Sequence, residues 1–315
     1  MASPTQLRAS VGSMDADGNG RRATRLARER QLRRRRLVAG VIVAVMVAGA
    51  VTGVLWAFSG KDASQDKTST PVAKRTTLHG PVRRAPRKAP SAEAAAVRRF
   101  VKLGYPLYCG GHKGRYVALT FDDGPGPYTT QYAFRIFRQA HIRVTWFLVG
   151  RLLASYPGVP KRELVFGPLG DHTWSHAYLP GLSAGQMANE IASAQNAIEK
   201  ASGSPVMLFR PPYGAHTAAI DAEAKSLGML EVLWSIDSLD SQGADWNGIT
   251  KEVLDNVRSG SIILFHENRG QTIRAVKFNI LPALRKRGFR TVTIPELLRL
   301  DPPTVAQLKT GGRGC

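Results

Sequence analysis

Apolar and polar positions alternate in three different ways along this chain. From Leu37 to Gly60 no residue is charged, and LVAGVIVAVMVAGAVTGVLWAF (37–58) is almost wholly apolar. About 20 apolar residues span a bilayer as a helix, and the run exceeds the 7–15-residue apolar core of a cleaved signal peptide. It predicts a single membrane-spanning anchor over 37–58. Arg33–Arg36 directly before it place residues 1–36 in the cytoplasm and the remainder outside, with Trp56 at the far interface. Secretion after cleavage of an N-terminal signal is the alternative. Residues 59–98 are rich in Ser, Thr, Lys, Arg, Pro and Ala. Such a segment buries too little apolar surface to offset its ordering entropy, and predicts a disordered linker.

From Tyr116 onward short apolar runs alternate with segments of helical period. YVALTF (116–121), RVTWFLVG (143–150), VMLFR (206–210), LEVLWSI (230–236), SIILFH (261–266) and FRTVTI (289–294) read as strands. Between them, TTQYAFRIFRQA (129–140) places Tyr132, Ile136 and Phe137 at helical spacing. Met187, Ile191, Ala194 and Ile198 share one face of a helix that Ser183 can cap; 217–228, 247–260 and 272–288 are further helices. The alternation predicts an α/β fold, a distorted (β/α) barrel of about seven parallel strands, occupying residues 99–315. An open doubly wound sheet is the rival, but no glycine-rich dinucleotide turn follows the first strand.

Charge changes the picture less than its size suggests. The 315 residues carry 44 Lys+Arg against 23 Asp+Glu, net +21. Residues 1–36 hold ten arginines against three acids, residues 59–99 ten basic against three acidic, and residues 100–315 the remaining 24 against 17. Two thirds of the excess lies outside the α/β region, which argues against a basic nucleic-acid-binding face. Two cysteines exclude a disulfide scaffold and a Cys-built zinc site. Cys109 and Cys315 lie near the two ends of the α/β region, and whether they pair is left open by the sequence.

In a barrel the chemistry sits after the strands' C-terminal ends, and ionisable groups fall there repeatedly. The first strand ends in Asp122-Asp123-Gly124-Pro125. Because side chains alternate along a strand, one carboxylate can bind a metal while the other handles a proton; alone, the tetrapeptide reads equally well as a turn. Next comes Asp171-His172-Thr173-Trp174-Ser175-His176, with two histidines four apart. On one side of a helical turn they can converge on a metal, although such a pair also occurs by chance on surfaces. Phe209-Arg210-Pro211-Pro212-Tyr213-Gly214 fixes a rigid loop and supplies a cation in need of a carboxylate. Trp234-Ser235-Ile236-Asp237-Ser238-Leu239-Asp240 offers two carboxylates, and Leu264-Phe265-His266 ends the sixth run in a histidine. Any one of these has an ordinary structural reading; five in succession do not.

TFDDGP, HTWSH, RPPYG, IDSLD and LFH, in this order, resemble the five signature motifs of the polysaccharide deacetylases, the NodB-homology proteins or carbohydrate esterase family four. The resemblance runs from about Tyr116 to Leu300. It implies a hydrolase that removes N-acetyl groups from N-acetylglucosamine polymers, with peptidoglycan the expected substrate and chitooligosaccharides or acetylxylan the alternatives. A binding protein without activity on the same fold is the alternative outside enzymes. It also implies a divalent metal, most commonly Zn²⁺, held by Asp123, His172 and His176, that polarises the acetyl carbonyl and acidifies water. Asp122 would be the base, Arg210 its partner, the backbone N–H of Tyr213 an oxyanion donor and Leu264 a wall for the acetyl methyl. His266 would protonate the leaving amine, oriented by Asp240.

Three departures from the family pattern stand out. Asp171 replaces the usual Asn, and would either raise histidine basicity or cap the loop. Ser241 replaces a common Trp, whose place Trp246 would fill. Gly167-Pro168-Leu169-Gly170 replaces a Gly-His-Glu run. His112, His141 and His216 stand outside every motif and read as surface or structural residues. The partners expected are a cell-wall glycan and, through residues 37–58, a membrane; no nucleic acid and no protein partner is inferred.

Overall fold

The computed structural model describes residues 91–315. The arginine-rich N-terminus, the predicted membrane span and nearly all of the predicted linker lie outside the described residues. Among the described residues no helix is long and apolar enough to cross a membrane.

The fold begins earlier than residue 99. Helix α1 (Ala92–Leu103) is capped by the Ser91 hydroxyl, which accepts from the Ala94 N–H, and ends at Gly104 in the left-handed conformation (φ 72°). Its Val97 and Phe100 are buried, so residues 92–98, read as linker on composition, are held by packing of two apolar side chains. The alternation that follows is β1 (Tyr116–Gly124), α2 (Thr129–Ala140), β2 (Thr145–Leu148), α3 (Val159–Glu163), β3 (Leu169–Asp171), α4 (Ala184–Ser202), β4 (Leu208–Phe209), α5 (Ala218–Ser226) and β5 (Leu230–Glu231). It continues with β6 (Ile236–Asp237), α6 (Trp246–Asn256), β7 (Ile262–His266), α7 (Gly270–Ala275), α8 (Leu281–Lys286), β8 (Arg290–Val292), α9 (Ile294–Leu300) and α10 (Val305–Thr310).

Eight strands form one sheet in the order β5-β4-β3-β2-β1-β7-β6, with β8 pairing β1. Every pairing is parallel. The count is close to the expected seven or so and exceeds the six runs legible in the sequence for two reasons. β3 is three residues with a central glycine, too short for an apolar run to register. The single run 230–236 splits into β5 and β6. The break leaves β5 and β6 as the two ends of the sheet, so the barrel is not closed by strand pairing. Residues 107–109 fill the gap: the Leu107 N–H donates to Glu231 O (2.9 Å), the Leu233 N–H to Leu107 O (2.7 Å), and Cys109 bridges Ser261. A disulfide joins Cys109 to Cys315, pinning this plug to the C-terminus.

The helix expected over 272–288 runs from Gly270 to Lys286 with a π turn at Val276–Ile280. Pro282 follows the turn and lacks the N–H that would bond the carbonyl four residues back. The helix α4 matches its pattern: Ser183 caps it in a reciprocal box with Gln186, and Met187, Ile191, Ala194 and Ile198 are buried.

Alternation along β1 divides the interior. Val117, Leu119 and Phe121 join the larger core with Phe137, Trp146 and Phe265, whose rings lie 5.3–5.5 Å from Phe121. Ala118 faces the opposite way, into a second cluster with Phe147, Val232, Ile262 and the buried faces of α1 and α9. Thr120 and Asp122 continue that second face beyond the apolar filling, toward the strands' C-terminal ends.

Candidate active site

Asp122 and His266 are register partners on the adjacent strands β1 and β7. Both line a cleft of about 430 Å³, together with Asp123, His172, His176, Tyr213 and Leu264. The sequence-predicted residues are therefore brought into one place, with Arg210 and Asp240 directly behind them.

Strand alternation alone would send Asp123 away from Asp122. The β1–β2 register shifts between Asp122 and Gly124, and Asp123 takes φ 66°, turning its carboxylate back into the cleft. Gly124 is required by close approach: a Cβ there would lie 1.7 Å from Glu267 Oε2. Glu267 is fully buried, accepts from the Thr130 hydroxyl, and burial pushes its carboxyl up to about 7. It supports the loop from below, and nothing in its residue type or spacing announced it.

The two histidines converge without a helix. Residues 172–178 form an irregular loop, with Thr173 and His176 at positive φ (67° and 64°). The His176 N–H donates to Thr173 Oγ1 (3.1 Å), and Ser175 donates twice to the Glu190 carboxylate of α4 (2.8 Å each). The helical basis of the sequence argument is thus replaced by a folded loop, while the convergence stands. Asp171 serves that loop: its buried Oδ1 accepts from the Thr173 N–H (2.7 Å). It does not touch the His172 ring, whose Nδ1 is 2.7 Å from Arg210 O. The loop-capping reading of Asp171 holds and the histidine-basicity reading does not. Burial raises the Asp171 carboxyl well above its ordinary range.

A carbonyl partner makes His172 Nδ1 the donor and leaves the Nε2 lone pair free, 3.7 Å from Asp123 Oδ1 and 3.6 Å from Asp122 Oδ2. His176 Nε2 is 3.3 Å from Asp123 Oδ1. Burial and the adjacent His172 lower the pKa of His176, favouring the neutral ligand form. Asp123 Oδ1 is buried and finds no hydrogen-bond partner among the described residues. The two histidine nitrogens lie 3.7 and 3.3 Å from Asp123 Oδ1, near the ~3.3 Å edge of a tetrahedron with 2.0 Å bonds, and all three donors lie within 4.8 Å of one another. Asp123, His172 and His176 therefore fit a divalent cation.

Arg210 is fully buried and makes four hydrogen bonds: Nη1 donates to Asp122 Oδ1 (2.7 Å) and Thr120 Oγ1 (2.8 Å), Nε to Val232 O (2.9 Å) and Nη2 to Leu233 O (3.1 Å). Its guanidinium lies 4.1 Å from the Phe147 ring centroid. Burial lowers its pKa and the Asp122 charge opposes that. With Oδ1 held by Arg210, Asp122 presents Oδ2 to the cleft.

On the opposite side, His266 Nδ1 is 2.7 Å from Asp240 Oδ1, while Asp240 Oδ2 accepts from the His266 N–H (2.8 Å) and from Thr272 Oγ1 (2.5 Å). Burial by itself lowers the His266 pKa; the Asp240 hydrogen bond and charge outweigh it and raise the imidazole to about 8. Burial likewise raises Asp240, but its bonds to His266 and Thr272 leave it lowered. Asp237, the other carboxylate of that motif, turns the loop by accepting from the Leu239 N–H (2.9 Å).

Tyr213 has φ 64° and an exposed ring 4.8 Å from that of His176. Trp246 does not reach the cleft: it packs on the core beneath Arg274, 4.2 Å away. The wall is formed by Trp234, with Ser241, Gln242 and Arg269 beside it. Gly214 admits the Trp234 indole, which a Cβ at that position would meet at 2.8 Å. Trp234 and Thr120 were visible at the heads of the fourth and first motif segments; Thr272 and Arg269 carried no signal.

A curled parallel sheet thus carries these groups at its C-terminal edge. The polysaccharide deacetylase family model matches residues 110–232. A peptidoglycan-N-acetylglucosamine deacetylase from Bacillus cereus is 36% identical over 202 residues, 62% of this chain and 94% of the relative. A chitooligosaccharide deacetylase from Azorhizobium caulinodans is 33% identical over 195 residues, 57% of this chain and 92% of the relative. Among solved structures, a peptidoglycan N-acetylglucosamine deacetylase in complex with 4-naphthalen-1-yl-N-oxidanyl-benzamide superposes with a TM-score of 0.60. It is 29% identical and covers 65% of this chain and 98% of its own. The chain belongs to the polysaccharide deacetylase family and is an enzyme of that kind.

Proposed function

We propose that this enzyme removes the N-acetyl group from N-acetylglucosamine residues of peptidoglycan, using a divalent cation, most simply Zn²⁺, held by Asp123, His172 and His176. The observation that carries the reading is the opposition of Asp122 and His266 across one cleft, with the three metal-type donors beside Asp122. When bound, the cation supplies Lewis acidity to the acetyl carbonyl and acidifies water. Asp122, with Oδ1 tied to Arg210, takes the proton of the attacking water on Oδ2. The Tyr213 N–H steadies the developing oxyanion, and Leu264 borders the methyl. His266, kept protonated near neutral pH by Asp240, gives its proton to the departing amine. An amide demands that last step, since an amine leaves poorly as an anion.

Exposed rings favour a sugar polymer: Tyr213 at the cleft and Tyr178, 6.2 Å from it, offer apolar faces at the rim. The substrate choice within the class rests on the Bacillus cereus relative; the Azorhizobium caulinodans relative supports chitooligosaccharides as the second reading. A binding protein without activity is disfavoured because the base, acid and metal-type donors are all in place. The apolar run 37–58 supports a single-pass anchor with the enzyme outside the cytoplasm, a compartment in which the Cys109–Cys315 disulfide persists. Acetate release by the full chain from N-acetylated peptidoglycan, chitin oligomers and acetylxylan decides the substrate. Peptidoglycan is expected to give the highest kcat/KM; higher turnover of either other polymer would displace it.

A further inference from the structure

A second group of metal-type donors lies outside the cleft. His216 follows the Tyr213 loop, Asp221 is on α5 and Glu231 on β5; one ligand atom from each lies within 4.8 Å of the others. His216 Nδ1 is 3.3 Å from Asp221 Oδ1 and 3.6 Å from Glu231 Oε1. These spacings approach the ~3.3 Å edge of a tetrahedral zinc site with 2.0 Å bonds.

Two observations point to a ligand rather than to a chance meeting of charges. Glu231 is buried, yet both its carboxylate oxygens find no hydrogen-bond partner among the described residues. An unpaired buried carboxylate is costly, and a cation removes the cost. His216 presents Nδ1 to both acids, while Nε2 lies 3.1 Å from the Tyr108 hydroxyl, which orients the ring.

We propose that His216, Asp221 and Glu231 form a second divalent-cation site, structural in role, distinct from the one in the cleft. Its ligands join the loop after β4, helix α5 and strand β5. Tyr108 adds the plug segment that carries Cys109, so the ion ties four segments at the open end of the sheet.

Zinc per chain, measured by elemental analysis after the full-length protein is dialysed against Zn²⁺, separates the two sites. The parent is expected to retain two ions, His172→Ala one, Glu231→Gln one and the double variant none. His216→Asn, at a partly exposed position, is expected to match Glu231→Gln and carries the test if the buried substitution does not fold. A single ion in the parent that Glu231→Gln and His216→Asn both keep, or two ions retained by both variants, would overturn the proposal. The loss of an ion from His172→Ala alone reports on the cleft, so the two assignments fail separately.

Discussion

The cleft site and the His216 site use the same side-chain chemistry: imidazole and carboxylate, with two donors 3.3–3.7 Å from a third at each. They differ in what surrounds the donors. Around Asp123, His172 and His176 stand a carboxylate held by a buried arginine, an imidazole raised to about 8, and a cleft of about 430 Å³. His216, Asp221 and Glu231 stand outside that cleft, beside a tyrosine hydroxyl. A set of ligands is therefore not yet a catalyst; the chemistry depends on a base and an acid placed on either side of a space that admits substrate.

The contrast can be broken or sharpened at four positions. Asp122→Asn keeps the shape of the cleft and the contact with Arg210 but removes the base. It is expected to lower kcat by ~10²–10⁴ with KM little changed, measured as acetate release. Cys315→Ser releases the plug segment and is expected to lower unfolding free energy by about 2–4 kcal/mol while sparing kcat, measured by denaturant titration. Asp240→Asn removes the carboxylate that raises His266. A general acid works only while protonated, so kcat falls as pH rises past its pKa. The alkaline limb, expected near pH 8 in the parent, should move toward or below ~6.5 in the variant, read from a kcat–pH profile. Glu231→Gln is expected to change kcat/KM by less than about threefold, under ~0.7 kcal/mol of barrier. A loss comparable to that of Asp122→Asn would erase the distinction between the two sites.

The two sites also differ in how they could be read from the chain. Asp122, Asp123, His172, His176, Arg210, Asp240 and His266 sit at consecutive strand ends, where strand alternation and motif spacing gather them. His216 stood alone in the sequence and read as surface or structural. Its partners lie five and fifteen residues onward, one in a helix and one in a two-residue strand, and only the folded chain shows that they meet. The fold was legible for the same reason: long apolar periods gave β1, β7, α2 and α4. Short elements escaped, because β3 has three residues and the run 230–236 broke where the plug segment enters. Helix α1 was hidden by charged neighbours around Val97 and Phe100. Local backbone turns were the least legible of all. Positive φ at Asp123, Thr173 and His176 aims the metal-type donors, and no residue type there signals it.

The account rests most heavily on a cation-dependent deacetylation in the cleft. Acetate released from N-acetylated peptidoglycan by the full-length protein, followed through complete chelation and then Zn²⁺ readdition, tests it directly. Release should fall to background on chelation and return with Zn²⁺ in the parent but not in His172→Ala. Undiminished release after complete metal removal would contradict it.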